Sequence, residues 1–331
     1  MPSTTELLFI CGGGHSGSTL LDLLLGEHPE IVSVGEVSTL NNYLENAERI
    51  CSCLQSARDC PFWQAAMSEF DDGRIAAIDT EGNTGDESIA AARTVALSRA
   101  TPLDMRREHA VSLSMKAQYL LAGAYFAMTS HDQHDRAVLR RVAPDILERM
   151  VNVHRLFDAI RHRCERSVVL DSSKHAYRFR LLRALRPDSV RCLFLVRDGR
   201  ARTFSDISRD GVDATSASRK WVQVNRRTRR LIASLPATHR LAVTYEGLCR
   251  EPEATLRRIC AFAGLDYAER MLDMQFENMH NIGGNRARFG SIGAIREDTR
   301  WRELMKPSDL ETFERIGGPL NRALLGKHYR A

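Results

Sequence analysis

Apolar residues run almost without interruption at positions 7–11, 168–171 and 190–196, and a weaker run follows at 241–244. Runs this short and continuous suit parallel strands covered on both faces. Between them the apolar positions fall at helical spacing, as the crossover connections of a parallel sheet require. The pattern predicts an α/β fold with a central parallel sheet and flanking helices. More than 150 residues separate the first two runs. Within that interval 111–128 and 146–160 have helical periodicity, whereas 71–88 is rich in Gly, Asp and Thr and reads as a loop. Residues 41–163 therefore read as a helical insertion into a single domain, a natural place to recognise a substrate.

The first apolar run feeds a segment containing Gly12, Gly13, Gly14 and Gly17, which opens an amphipathic helix. Glycines let the backbone take positive φ and approach an anion closely. Amides at the helix start then face the ligand, and the helix dipole adds roughly half a positive charge. Ser16, Ser18 and Thr19 add hydroxyl donors. Read as a Walker A loop, 12–19 has the glycines and the terminal hydroxyl in register, but Ser18 stands where an ATP-binding loop keeps its lysine. The loop predicts an anionic nucleotide other than ATP.

A second informative segment is VRCLFLVRDGRARTFSDISR, 190–209. Its strand ends in Arg197, Asp198 and Gly199, and a helix then carries Ser205 and Arg209. Ligands of open α/β sheets gather at the carboxyl ends of strands, so this segment and the glycine loop share one edge. Arg197 offers a planar charged fork and Ser205 a hydroxyl, a suitable clamp for a second phosphate. Two anion sites on neighbouring strands describe a nucleotide with two separated anionic groups.

Composition narrows the class. The chain has 331 residues, 43% of them hydrophobic, and 47 basic against 42 acidic side chains give a net charge of +5. That balance fits an enzyme with polyanionic ligands and argues against nucleic acid as the main partner. No apolar run approaches the roughly 20 residues of a membrane span, and the N-terminus, without a basic start, reads as the first strand. Eight cysteines fit a reducing, cytoplasmic setting, with Cys11, Cys192 and Cys260 expected as buried thiols. The pattern assigns no oligomeric state.

Together the two segments resemble the 5′-phosphosulfate loop and the 3′-phosphate motif of sulfotransferases that use 3′-phosphoadenosine 5′-phosphosulfate (PAPS). The likeness is to the membrane-type tyrosylprotein and carbohydrate branch and its bacterial relatives. The first motif is met by Ser16 to Leu20, His28, Pro29 and Glu36, and the second by Val196 to Ala201 with Ser205 and then Arg209. Similarity continues through 245–267, beginning at Tyr245, and through 285–301, which contains Asn285, Arg288, Arg300 and Trp301. About 150 residues take part. His15 departs from the pattern, standing where most relatives have arginine or lysine.

The resemblance implies a sulfonate transfer from PAPS to a hydroxyl of a glycan, peptide tyrosine, lipid or small alcohol, without a metal. It casts Glu36 as the base for the acceptor proton, with Lys174 and His15 stabilising the phosphosulfate. Gly14 to Leu20 would hold the 5′ group; Arg197, Ser205 and Arg209 the 3′-phosphate; Tyr245, Asn285, Arg288 and Arg300 the rest of the nucleotide. Each residue also has a plainer reading: Glu36 as a helix-starting acid, Lys174 as a solvated lysine, His15 as a loop-structural imidazole. Asp171 resembles a Walker B acid, which keeps open a kinase using ATP and Mg²⁺, although capping the following helix, by Asp171 or Ser172, suits it better. A non-catalytic nucleotide-binding module is the third alternative.

Two further features read as structural. Cys51, Cys53 and Cys60 have near-metal spacing, but no histidine lies nearby to complete four ligands. They are expected as free thiols, ahead of a local disulfide and of zinc. Arg226, Arg227, Arg229 and Arg230 lie opposite Trp221, Val224 and Leu231 on a helical projection and read as a solvated face. In contrast, glycines flanking Arg286 and Arg288 suggest a lid whose cations reach the nucleotide.

Overall fold

A computed structural model of the protein describes residues 5–68, 113–129, 134–276, 279–290 and 294–326. Five strands form one sheet in the order β2-β3-β1-β4-β5: β1 (Leu7–Gly12), β2 (Ile31–Gly35), β3 (Val168–Lys174), β4 (Val190–Val196) and β5 (Arg240–Thr244). Every pairing is parallel. The strand period of two sends Leu7, Phe9 and Cys11 into one apolar core and Leu8 and Ile10 into the other. That double burial is why β1 is apolar without alternation.

Two strand expectations need correction. Residues 31–35, which are not among the four apolar runs, form the fifth strand at the sheet's edge. A five-residue edge strand interrupted by Ser33 and closed by Gly35 gives too weak a pattern to stand out. In addition, β3 runs three residues past the apolar stretch, through two serines to Lys174, because β1 still supplies a partner there, with Cys11 opposite Lys174.

From β1 the chain passes through helix α1 (Ser18–Gly26) toward β2, whereas from β4 it leads toward β5. The carboxyl ends of β1 and β4 therefore border the crevice where an open parallel sheet collects ligands. Between β2 and β3 the described residues hold five α-helices: Leu40–Glu45, Pro61–Met67, Leu113–Met128, Asp135–Val142 and Pro144–Cys164. The last is 21 residues long and packs Ile146, Met150, Val153, Phe157 and Ile160 into the first core. A buried pair, Arg180 Nη2 to Asp135 Oδ2 at 2.6 Å, ties this region to the helix Ala176–Arg183. The loop expected over 71–88 lies outside the described residues.

The C-terminal helix Pro307–Leu325 packs against Ala214–Ile232, with Phe313 meeting Trp221 edge-on at 5.5 Å. A Cβ at Gly199 would fall 2.2 Å from the Phe313 ring, so only glycine fits where the helix after β4 begins. Arg226, Arg229 and Arg230 are exposed on Ala214–Ile232 while Trp221 and Leu231 are buried, matching the solvated-face reading.

Candidate active site

The glycine loop leaves β1 at Gly12 and closes at Gly17, whose φ of 88° lies in the left-handed region at the N-terminus of α1. A Cβ on Gly17 would meet the Tyr245 ring at 2.4 Å. Tyr245 thus lies against the loop, and its hydroxyl donates to Arg296 O (3.2 Å) while accepting from Asp298 N (3.1 Å). Ser16 Oγ donates to Gly13 O at 2.7 Å, bracing the loop from inside. Ser18 and Thr19 are buried at the helix start, and Thr19 Oγ1 accepts from Asn285 N at 3.3 Å.

Arg197, at the end of β4, is buried beside this loop. Its guanidinium sits 4.7 Å over the Tyr245 ring and donates to His15 O at 2.9 Å and to Asp298 Oδ2 at 3.3 Å. Ser205 is also buried, nearly two turns along the next helix (Gly199–Asp210), and its hydroxyl donates to Ala201 O at 3.0 Å. Arg209 is exposed. Asp298 is held well below the usual carboxylate range, first by hydrogen bonds from Arg300 and further by the charge of Arg197. Arg300 makes those bonds at 2.8 and 2.9 Å from an otherwise exposed position.

Arg202 was not apparent as a site residue. It is buried and lies beside the loop, its guanidinium nitrogens 3.7 and 3.8 Å from where Cβ atoms on Gly13 and Gly14 would stand. It pairs with Asp206 one helical turn on. The Nε atoms of Arg197 and Arg202 are buried without hydrogen-bond partners. Both arginines line a narrow cleft, about 10 Å³ in volume, with Gly13, Gly14, Ser16 and Trp221. The signal that could have found Arg202 is its i+5 spacing from Arg197, which keeps it on the helix just after the strand. A wider, open concavity of about 490 Å³ beside Glu251 and Arg257 holds none of the candidate site residues.

At the opposite side of the loop, β2 and β3 bring Glu36 and Lys174 together. Lys174 Nζ donates to Glu36 Oε1, and both side chains are mostly buried. Lys174 closes β3 in the left-handed region, φ 73°, which turns the side chain out of strand alternation. Glu36 precedes a short 3-10 turn, Val37–Thr39, but its carboxylate does not cap it. Residues 282–283 lie on top: Glu36 N donates to Ile282 O at 2.7 Å, and a Cβ on Gly283 would strike the Glu36 Cβ at 2.5 Å.

Several expected roles change. Asp171 does not cap the following helix, nor does Ser172. Asp171 is fully buried and accepts from Ser173 N and Oγ at 2.8 and 2.5 Å, while His175 occupies the cap position. Arg288 does not reach toward the loop: it donates to the carbonyls of Gly283, Gly284 and Ile50 and to Tyr43 Oη, fastening its segment to the first core. Asn285 is exposed, and its side chain caps a short 3-10 turn, Arg286–Phe289. His15 lies 3.6 Å from Asp210, and burial, with the charge of Arg202, pushes its pKa below the ordinary value. That shift disfavours the charged imidazole. Lastly, a histidine does complete the cysteine cluster: His280, from 220 residues downstream of Cys60, brings Nδ1 to 3.2 Å from Cys60 Sγ.

The glycine loop, Glu36, Lys174, Arg197, Arg202, Ser205 and Tyr245 fall inside residues 8–269, which match the sequence model of the sulfotransferase family, while the late segment 282–300 lies beyond that match. The chain belongs to the sulfotransferase family. As a sulfotransferase it shares its fold with the sulfotransferase domain of a curacin biosynthetic pathway. That likeness has a TM-score of 0.50 at 15% identity, covering 96% of this chain and 98% of the other. The sulfotransferase domain of a Synechococcus PCC 7002 olefin synthase (TM-score 0.48, 19% identity, 95% of each chain) is also similar. So is the sulfotransferase STF9 of Mycobacterium avium (0.47, 16%, 98% of this chain and 77% of that one). None of the curated proteins compared matches the chain. No helix among the described residues is long and apolar enough to cross a membrane.

Proposed function

We propose that this sulfotransferase moves a sulfonate group from PAPS to a hydroxyl of its acceptor, with Glu36 as the base and without a resident metal in the reaction. The observation that carries the reading is the pair Glu36–Lys174 at the carboxyl edge of β2 and β3, beside the glycine loop of β1. PAPS supplies an activated sulfur whose departure leaves a phosphate oxygen to be stabilised. The chain's residues suit such a donor: Arg197 and Arg202 bury guanidinium Nε–H groups with no partner, and an anion between them would satisfy both.

In this reading the amides of Gly14 to Leu20 receive the 5′ phosphosulfate at the start of α1, where the helix dipole favours negative charge. Arg197 and Ser205 receive the 3′-phosphate, with Arg197 exchanging its contact to Asp298 for the ligand, and Arg209 at the helix end adding long-range attraction. Tyr245 supplies a flat face beside the loop, and Asn285 and Arg300 border it from the late segment. Lys174 holds the Glu36 carboxylate in place through its ion pair, and passes to the leaving oxygen as charge develops there. Glu36, freed in the same movement, takes the acceptor proton. Arg202 provides a charge that is fixed across the pH range, whereas that of His15 depends on pH. The helical region 41–163 is the proposed acceptor-recognition part of the single domain.

Release of 3′-phosphoadenosine 5′-phosphate from PAPS, measured across a panel of phenols, alcohols and sugars, tests the proposal. Acceptor-dependent release that stops in Glu36→Gln supports it. Acceptor-dependent release of ADP from ATP and Mg²⁺, with no turnover of PAPS, would replace it with a kinase.

A further inference from the structure

Cys51, Cys53 and Cys60 converge with His280 so that all four candidate donor atoms lie within 4.8 Å of one another. Cys53 Sγ is 3.6 Å from Cys60 Sγ, and Cys60 Sγ is 3.2 Å from His280 Nδ1. Cys51 and Cys60 are fully buried, while Cys53 and His280 are half-buried. We propose that these residues form a structural Zn²⁺ site of the Cys₃His type.

The distances favour a shared metal over a disulfide. Two thiolates on one tetrahedral zinc, each bonded at about 2.3 Å, stand ~3.7 Å apart. A disulfide needs about 2.05 Å. The observed 3.6 Å between Cys53 and Cys60 matches the metal geometry without movement of the backbone. Three soft sulfurs and an imidazole also select zinc over magnesium or calcium, which take oxygen ligands. Four protein donors leave no open coordination position, which marks a structural and not a catalytic centre.

The surrounding bonds prearrange the ligands. Cys51 N donates to Gln55 O, Leu54 N to Cys51 O and Cys60 N to Ser56 O, so the turn carrying three sulfurs is closed by its own backbone. Leu54 sits in the left-handed region at φ 68°, as a tight turn between ligands requires. His280 stacks on Phe62 at 4.8 Å and its carbonyl accepts from Trp63 Nε1 at 3.0 Å, fixing the imidazole against the turn. A second candidate cluster, His15 with Asp206 and Asp210, has Arg202 bonded to one of its carboxylates, and that guanidinium opposes a cation.

The site has a consequence for Glu36. Ser52 N donates to Asn281 O at 3.0 Å, and Ser52 Oγ donates to Met279 O while accepting from Asn281 N. The next residues, Ile282 and Gly283, cover Glu36. Zinc would therefore clamp the late segment that roofs Glu36 onto a turn from the start of the helical region.

The experiment measures metal in the full-length protein, purified under reducing conditions and dialysed, by elemental mass spectrometry. The expected result is about one zinc per chain, falling below about 0.2 in Cys53→Ser and His280→Ala. After chelator treatment, Co²⁺ added to the wild type should give the intense visible bands of a tetrahedral thiolate site. Zn²⁺ should bleach those bands and restore any fall in melting temperature. A wild type that takes up neither Zn²⁺ nor Co²⁺ overturns the site, whatever the variants do. So do variants that retain a full zinc, or a Cys53–Cys60 disulfide found by alkylation and mass spectrometry in protein kept under reductant.

Discussion

At the β4 end of the crevice Arg197 and Arg202 bury guanidinium groups whose Nε atoms meet no partner, whereas at the β2–β3 end Glu36 and Lys174 answer each other's charge. An unpartnered buried donor costs about 1–3 kcal/mol, so the first end gains stability from an incoming anion. The second end has nothing to gain from a ligand until its pair separates. In the proposed function, affinity belongs to the first end and turnover to the second.

The largest effect that would break this division is in turnover. Glu36→Gln should bind 3′-phosphoadenosine 5′-phosphate nearly as the wild type does and lower kcat by about 10² to 10⁴, the usual share of a positioned base. Calorimetry and steady-state kinetics on the same preparation check both halves. A drop in affinity as large as the drop in kcat would merge the two ends.

Each end also holds one buried acid. Burial raises Asp22 to about 7, despite a hydrogen bond from Ser33, and raises Glu246 to about 7, despite one from the Asp198 amide. The native state therefore binds more protons than the unfolded chain between the ordinary carboxylate range and pH 7. Stability should fall as pH rises through that window, by up to about 4 kcal/mol for Asp22 alone. Asp22→Asn should remove its part of the slope in urea melts from pH 4.5 to 8. An unchanged slope would mean that Asp22 ionises freely.

The next effect is affinity at the other end. Arg197→Ala should weaken 3′-phosphoadenosine 5′-phosphate by about 1.5 to 3 kcal/mol, tenfold or more, and change 5′-AMP little. Equal losses for both nucleotides would make Arg197 a support for Tyr245 and His15, which it also touches.

What the chain alone disclosed follows the same division. The Gly12–Leu20 loop and the strand ending in Arg197 are local, so glycine spacing and a continuous apolar run made them legible. The pairing of Glu36 with Lys174 joins the residue just after β2 to the last residue of β3, and only the parallel register of those strands makes them neighbours. Arg288 misled because flanking glycines describe where a backbone can bend, not where a side chain finds partners, and Tyr43 and Ile50 supplied those. His280 was missed for the opposite reason: nothing near Cys60 in sequence marks a histidine 220 residues away as its neighbour.

The smallest effect concerns His15. Burial, then Arg202, lowers its pKa in the free protein, and a bound anion raises it again. Its contribution to donor affinity is full below the free-state pKa and is lost as pH rises through the bound-state value. Affinity should fall by a few-fold, less than about tenfold, across that interval, and His15→Arg should flatten the curve. Identical pH curves for the two proteins would make the imidazole purely structural.

The division rests most directly on what the arginine end prefers, and one titration calorimetry series tests it: 3′-phosphoadenosine 5′-phosphate against ATP with Mg²⁺ on the wild-type protein. Two anion sites, one at the glycine loop and one at Arg197, predict that the 3′-phosphorylated nucleotide binds at least about tenfold more tightly. ATP with Mg²⁺ binding as tightly or more so would contradict the account.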